Sequence, residues 1–147
     1  MSHTLSSNVE NLILVGTASL KGTGNGAANL LDGNAGANTL SGLGGSDTIE
    51  GGGGRDTLYG GDGRDYFAFS RSDGPSGQDR IMDFEDGLDR LKIVGGPDSY
   101  ASFLAGGGSI VASGADVVVF MDAQRQDYVR LVGVDLAEIG RGDFLFA

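Results

Sequence analysis

Asp47, Asp56 and Asp65 stand nine residues apart, and each closes a short glycine-rich run. Residues 51–59 read GGGGRDTLY and residues 60–68 read GGDGRDYFA, both fitting G-G-x-G-x-D-x-U-x, with U a large apolar residue. Residues 42–50, GLGGSDTIE, are a near match, while 33–41 (GNAGANTLS) and 24–32 (GNGAANLLD) carry Asn38 and Asn29 in place of Asp. Glycine-rich turns tolerate positive φ and close backbone approach. They also leave carbonyl oxygens uncovered. Carbonyls together with a carboxylate are the hard oxygen ligands that calcium prefers.

A unit of nine residues suits a six-residue turn followed by a three-residue strand. In such a strand the middle side chain faces one way and its neighbours the other. Leu31, Leu40, Ile49, Leu58 and Phe67, each nine apart, are therefore expected to stack inward as a thin core. Leu20 lies eleven before Leu31, which predicts a register slip of two. Two repeats make one coil, so repeats eighteen residues apart share a face. Asp47 then lies over Asp65, and Asn38 over Asp56. Such short strands bury little apolar surface, whereas ordering 16 glycines between Gly16 and Gly63 costs much chain entropy. Metal binding is expected to supply the missing folding free energy. A disordered glycine-rich linker would not hold an apolar residue every nine positions with a polar residue at fixed offset.

The rest of the chain frames this array. Residues 8–15, NVENLILV, read as a leading strand, giving a division into 1–15 (lead-in strand), 16–68 (repeats) and 69–147 (a β-rich cap). SRSDGPSGQ (70–78) reads as a loop. Strands are expected at 79–84, 88–94, 109–113, 116–122, 127–132 and 143–147. A short helix over 97–105 should start at Pro97 or Asp98 and end at Gly106, and 135–139 should form a helical turn. Terminal units of repeat proteins need such caps. The fold class expected from these elements is all-β: a coil of stacked repeats with a C-terminal β cap.

Composition excludes several chemistries. The net charge of −10, from 20 acidic and 10 basic residues, opposes general binding to nucleic acid or to anionic membranes. With no cysteine there is no disulfide, thiol nucleophile or cysteine–zinc site. The lone histidine, His3, reads as a tail residue, which argues against a Ser-His-Asp triad or a histidine-based zinc site. No apolar run reaches the roughly 20 residues of a membrane span, and residues 1–15 do not read as a signal peptide.

The repeats resemble the hemolysin-type, or RTX, calcium-binding family. DRIMDFEDGLDRLKI (79–93) is similar to the segment after the repeats in serralysin-type proteases and alginate epimerase R-modules. YVRLVGVDLAEIGRGDFLF (128–146) is similar to the closing segment of many such proteins. The resemblance implies a right-handed parallel β-roll holding several calcium ions, and a C-terminal region that addresses the type I secretion machinery. Such a chain would stay unfolded in a calcium-poor cytosol and fold outside the cell, where calcium modules bind at about 10⁻⁴–10⁻³ M. It also implies ligands by repeat position. One set is Leu43, Gly45 and Asp47 with Gly60, Asp62 and Asp65. A second is Asn34, Gly36 and Asn38 with Gly51, Gly53 and Asp56. A third is Asn25, Ala27 and Asn29 with Gly42, Gly44 and Asp47. Gly52, Gly54 and Asp56, and likewise Gly61, Gly63 and Asp65, need partners beyond the array, and Asp79 is the candidate to complete one of these. Asn29 and Asn38 lack charge, so the early sites should be weak or empty. Residues 69–77 break the pattern at the far end.

Other features read as structural. Asp83, Glu85, Asp86 and Asp89 form an acidic cluster expected to be a solvated turn. Arg55 and Arg64 have Ala37 and Ser46 as same-face neighbours, so no arginine ladder forms along the repeats. Tyr59, Tyr66 and Phe69 are expected to pack against the cap rather than to stack on sugars. The expected function is a non-catalytic calcium-binding module, secreted and monomeric, serving folding and export of a larger protein. The alternative is an accessory module that binds a polysaccharide such as a polyuronate. An enzyme working through carboxylates alone would need a pair about 5–9.5 Å apart across a cleft, and none is legible. An adhesive surface protein would read the same way.

Overall fold

Three-residue strands that each end a glycine-rich turn set the architecture. The computed structural model describes residues 1–70 and 77–147; the loop expected at 70–78 falls mostly on residues 71–76, outside those described. Successive strands alternate between two sheets. One sheet takes β1 (Ser2–Thr4), β3 (Lys21–Thr23), β5 (Thr39–Gly45), β7 (Thr57–Gly63) and β9 (Gln78–Ile81). The other takes β2 (Asn11–Ile13), β4 (Leu30–Asp32), β6 (Thr48–Glu50), β8 (Tyr66–Ser70) and β10 (Arg90–Val94). Pairing within both runs is parallel, with Leu40 beside Leu58 in one sheet and Leu31, Ile49 and Phe67 in line in the other. All five are fully buried, as the nine-residue period requires.

The N-terminal register differs from the expected slip of two. Gly22, nine before Leu31, stands opposite Leu40 in the inward position. A side chain there would meet the Cδ2 atoms of Leu12 and Leu40 at 2.8 Å, so neighbouring leucines fill the space that glycine leaves. Leu12 pairs with Leu31, which places the one extra residue between Leu12 and Gly22. His3 is no tail residue: it sits in β1, opposite Gly22, and is half-buried. The parallel ladder therefore starts at residue 2.

At the other end, β9 and β10 continue the two sheets beyond the last repeat. Ile81 pairs with Leu58 and Leu91 with Phe67, both fully buried. The first sheet then adds β13 (Tyr128–Leu131), parallel to β9, and the antiparallel strands β12 (Asp116–Phe120) and β11 (Ser109–Ser113). The second sheet ends with β14 (Phe144–Phe146), parallel to β10. Helix α1 (Tyr100–Ala105) starts two residues after Asp98, the later of the two expected starts: Ser99 caps it by accepting the Ser102 N–H, and Gly106 ends it. Its Phe103 lies 5.6 Å from Phe144 and 6.1 Å from Phe146, ring centre to ring centre, and Tyr100 lies 5.3 Å from Phe144. This aromatic group covers the end of the core, which is the cap that an open solenoid needs.

Candidate metal centre

The polar residue two before each inward residue is drawn into a column beside the core. Asp47, Asp56 and Asp65 are fully buried, and Asn29 and Asn38 nearly so. One oxygen of each carboxylate ties successive coils together. Asp47 Oδ1 accepts the N–H of Asn29 at 2.7 Å, and Asp65 Oδ1 accepts that of Asp47 at 2.8 Å. On the other side, Asp56 Oδ1 accepts the Asn38 N–H at 2.6 Å. The pairing of residues eighteen apart, expected from two repeats per coil, holds in both columns.

Both columns run past the repeats. Asp79 Oδ1 accepts the Asp56 N–H at 2.8 Å, and Asp89 Oδ1 accepts the Asp65 N–H at 2.9 Å. Asp79 thus takes the place of a repeat aspartate. Asp89 does the same, contrary to the expectation of a solvated acidic turn: it is buried, and its Oδ2 accepts the Glu85 N–H at 2.9 Å. Asp83, from the same cluster, accepts the N–H groups of Gly60 and Gly61 at 2.9 and 3.0 Å. The signal for Asp89 was in the sequence. Asp79-Arg80-Ile81 and Asp89-Arg90-Leu91 both repeat the D-x-U step, at broken spacing.

The second oxygens are the telling atoms. Among the described residues, Oδ2 of Asp47, Asp56, Asp65 and Asp79 is buried with no hydrogen-bond partner. A buried carboxylate oxygen without a donor costs free energy that native structures rarely leave uncompensated. Those of Asp47, Asp56 and Asp65 face glycines. A Cβ on Gly42 would overlap Asp47 Oδ2 and stand 2.6 Å from the Gly60 carbonyl oxygen, and Cβ atoms on Gly51 and Gly60 would overlap Asp56 Oδ2 and Asp65 Oδ2. At Gly42 the missing side chain leaves room where Asp47 Oδ2 and the carbonyl of Gly60 from the next coil converge. Gly61 and Gly63 have φ of 93° and 138°, which suits glycine. Leu43, at the same turn position as Gly52 and Gly61, is held at φ 80°.

Burial dominates the electrostatics. It raises Asp47 above the ordinary carboxylate value of 3.8, Asp65 and Asp89 to about 6, Asp56 to about 7 and Asp79 to about 8. The charge of Asp56 adds to the rise at Asp79, and the Asp47 charge to that at Asp65. A column of desolvated carboxylates that repel one another calls for positive charge. No group of three or more His, Cys, Asp or Glu side chains gathers into a metal-holding cluster among the described residues. The oxygens that converge here are single carboxylate atoms plus main-chain carbonyls, the donor set that suits a hard divalent cation.

The asparagine turns are built differently. Asn29 Oδ1 and Asn38 Oδ1 accept the N–H groups of Asn25 and Asn34 at 2.7 and 2.8 Å, so they are satisfied. Phe69 is buried and Tyr59 and Tyr66 are half-buried.

The sequence model of the RTX calcium-binding nonapeptide repeat (four copies) matches residues 23–58 and 32–67. The chain is similar in structure to the AlgE6R3 subunit of the Azotobacter vinelandii mannuronan C5-epimerase (TM-score 0.70, 28% identity, 97% of this chain and 87% of that one). It is similar to the AlgE6R2 subunit of the same enzyme (TM-score 0.60, 27% identity, 88% and 92%). It also resembles part of the extracellular lipase LipA from Serratia marcescens (TM-score 0.67, 25% identity), covering 90% of this chain but 20% of the lipase. No curated protein matches the chain.

Proposed function

The segment 23–67 belongs to the RTX calcium-binding nonapeptide repeat family, and from that premise we propose that the chain is a non-catalytic module whose aspartate turns fold around calcium outside the cell, serving the folding and export of a larger secreted protein. The observation that carries this reading is the set of partnerless buried oxygens at Asp47, Asp56, Asp65 and Asp79. When bound, calcium supplies the positive charge that offsets their burial and mutual repulsion. One ion is assigned to the turns 42–47 and 60–65, with the carbonyls of Leu43, Gly45, Gly60 and Asp62 and the carboxylates of Asp47 and Asp65. A second is assigned to Asp56 and Asp79, with the carbonyls of Gly52 and Gly54. Asp65 and Asp89, with Gly61 and Gly63, form the place for a third. Asp89 is the ligand added to the expected sets, since it extends the Asp47–Asp65 column.

Export fits the same physics. With calcium scarce, these carboxylates repel and the short strands have little else to hold them; with calcium abundant, the roll closes. The similarity to an extracellular lipase supports a secreted parent. Calorimetric titration of the stripped chain tests the proposal: calcium should bind at up to millimolar concentrations, and a chain that binds none defeats it.

A second reading rests on a separate surface. On the outer face of the larger sheet, Arg80 stands opposite Arg130, and Gln78 opposite Tyr128. With Arg55, which donates to Gln78 Oε1 at 2.6 Å, they line a cleft of about 60 Å³. Arg125 covers the Phe120 ring at 4.8 Å nearby. Arg130 is paired with Asp116 at 3.0 Å, which leaves Arg80 and Arg55 with Tyr128 around the cleft to meet the carboxylates and ring faces of an acidic polysaccharide. The sequence showed no arginine ladder because Arg55 is joined by residues of β9 and β13, not of the repeats. Titration with a uronate polymer in calcium, with Arg80→Ala as control, tests this: wild-type binding that Arg80→Ala weakens supports it, and no binding rejects it.

A further inference from the structure

Asn25 and Asn34 occupy the second position of the first two repeats, where Gly52 and Gly61 stand later. Asn34 Oδ1 accepts the Gly36 N–H at 2.8 Å and an Nδ2 proton of Asn38 at 3.0 Å. Both partners can only donate, which fixes that atom as the oxygen. The amide nitrogen is therefore the atom turned to the preceding coil. It donates to the carbonyls of Ala18 at 3.1 Å and Val15 at 3.3 Å. Asn25 repeats the arrangement nine residues earlier. Its Oδ1 accepts from Ala27 N–H and Asn29 Nδ2 at 2.9 and 3.2 Å, and its Nδ2 donates to the carbonyls of Ser6 and Val9, both at 2.8 Å. Both asparagines reach residues 19 and 16 positions back.

We infer that the side-chain amides of Asn25 and Asn34 replace cations between the first coils, so that calcium binding begins only at the aspartate turns. The inference rests on the calcium reading of those turns. At Gly42 a bare Asp47 oxygen and the Gly60 carbonyl converge and call for a cation. At Gly24 and Gly33 the carbonyls of Gly42 and Gly51 approach in the same way, but the side-chain oxygens they meet, those of Asn29 and Asn38, already accept a main-chain N–H. In the asparagine turns, an NH₂ group with two donors meets two carbonyls, which satisfies them without charge. The oxygens of Asn29 and Asn38 are already bonded to main-chain N–H groups. No orphaned oxygen occurs on any of the four asparagines, in contrast to Asp47, Asp56, Asp65 and Asp79. The clamps fill the gaps on the preceding-coil side. On the opposite side of the same turns, the ligand sets led by Asn25, Ala27 and Asn29 and by Asn34, Gly36 and Asn38 take no ion because the side-chain oxygens of Asn29 and Asn38 are already bonded to main-chain N–H groups. The first coils hold together by an uncharged clamp that is indifferent to calcium and to pH, and they present a formed edge on which the calcium-dependent coils can stack.

The test compares calcium stoichiometry by calorimetry, and thermal midpoints in calcium and in EGTA with an excluded osmolyte that keeps the fold populated, for wild type, Asn34→Ala and Asn34→Asp. Asn34→Ala should bind as many ions as wild type while its midpoint falls equally in both media. Asn34→Asp keeps the shape but turns the donor into an acceptor facing two carbonyls. It should bind one more calcium than wild type, with a midpoint lowered in EGTA and recovered in calcium. A calcium ion lost in Asn34→Ala, or none gained in Asn34→Asp, overturns the inference. Asn25→Asp, made at the more exposed turn, reads the same gain should Asn34→Ala fail to fold. A wild-type chain that binds no calcium defeats the calcium reading itself, a result distinct from either.

Discussion

Replacing Asp65 by Asn is predicted to act with opposite sign in calcium and in its absence. Asp65 Oδ1 holds the Asp47 N–H, and an asparagine oxygen can keep that bond. What changes is the other atom: a bare carboxylate oxygen beside Gly60 becomes an uncharged amide nitrogen. Burial raises Asp65 from 3.8 to about 6. Because the folded value lies above the unfolded one, the metal-free fold loses stability as pH rises from about 4 to about 6, and the burden is complete above that. At about 1.4 kcal/mol per pH unit it amounts to at most about 3 kcal/mol. Asp65→Asn lifts this burden at pH 7.5, raising the metal-free midpoint by up to roughly 6–12 °C at about 2–4 °C per kcal/mol. In calcium the variant loses a proposed ligand. At a free concentration about 100 times the dissociation constant, each ion lost costs about 2.7 kcal/mol, so the midpoint falls by a comparable amount. Thermal unfolding followed by circular dichroism, with an excluded osmolyte in the EGTA arm to keep the fold measurable, reads both shifts. A change of the same sign in both media refutes the reasoning.

Further outcomes follow from single positions. Gly42→Ala puts a methyl group against Asp47 Oδ2 and the Gly60 carbonyl; calorimetry should count one calcium fewer, whereas Gly142→Ala, with open space around it, should leave the count unchanged. Calcium affinity should weaken as pH falls from 8 to 5, because protons compete at Asp79, Asp56 and Asp65, held near 8, 7 and 6; a flat affinity across that range in calorimetry counts against these ligands. Leu43→Gly relieves a left-handed backbone at φ 80° and should stabilise the chain by about 1 kcal/mol in urea unfolding. Leu58→Ala removes a fully buried core side chain and should cost about 2–5 kcal/mol in calcium by the same assay.

The nine-residue period made the centre of the molecule legible, because one physical requirement repeats. An inward apolar residue follows two places after a column residue, and Leu31, Leu40, Ile49, Leu58 and Phe67 occupy those inward places. Asp79 was legible as the residue completing a column, since Asp-Arg-Ile repeats the step just past the array. Asp89 carries the same Asp-x-apolar step, but three other acids precede it closely and mask it, and the parallel pairing of Leu91 with Phe67 is what shows that it is stacked under Asp65. The glycine at position 22 hid the N-terminal coils, because the nearest apolar residue, Leu20, lies two places off the period. Burial at that place comes from Leu12 and Leu40 reaching over. The asparagine clamps depend on side chains that span 16 to 19 residues between coils, a relation the local motif does not carry. The cap was legible as strands and one short helix, but its arginine cleft arises only when β9 and β13 are brought side by side.

Far-UV circular dichroism of the EGTA-stripped chain during a calcium titration, with magnesium as the control ion, tests the central claim most directly. Calcium should bring a cooperative gain of β structure and magnesium none at the same concentration. A spectrum unchanged by millimolar calcium would contradict it.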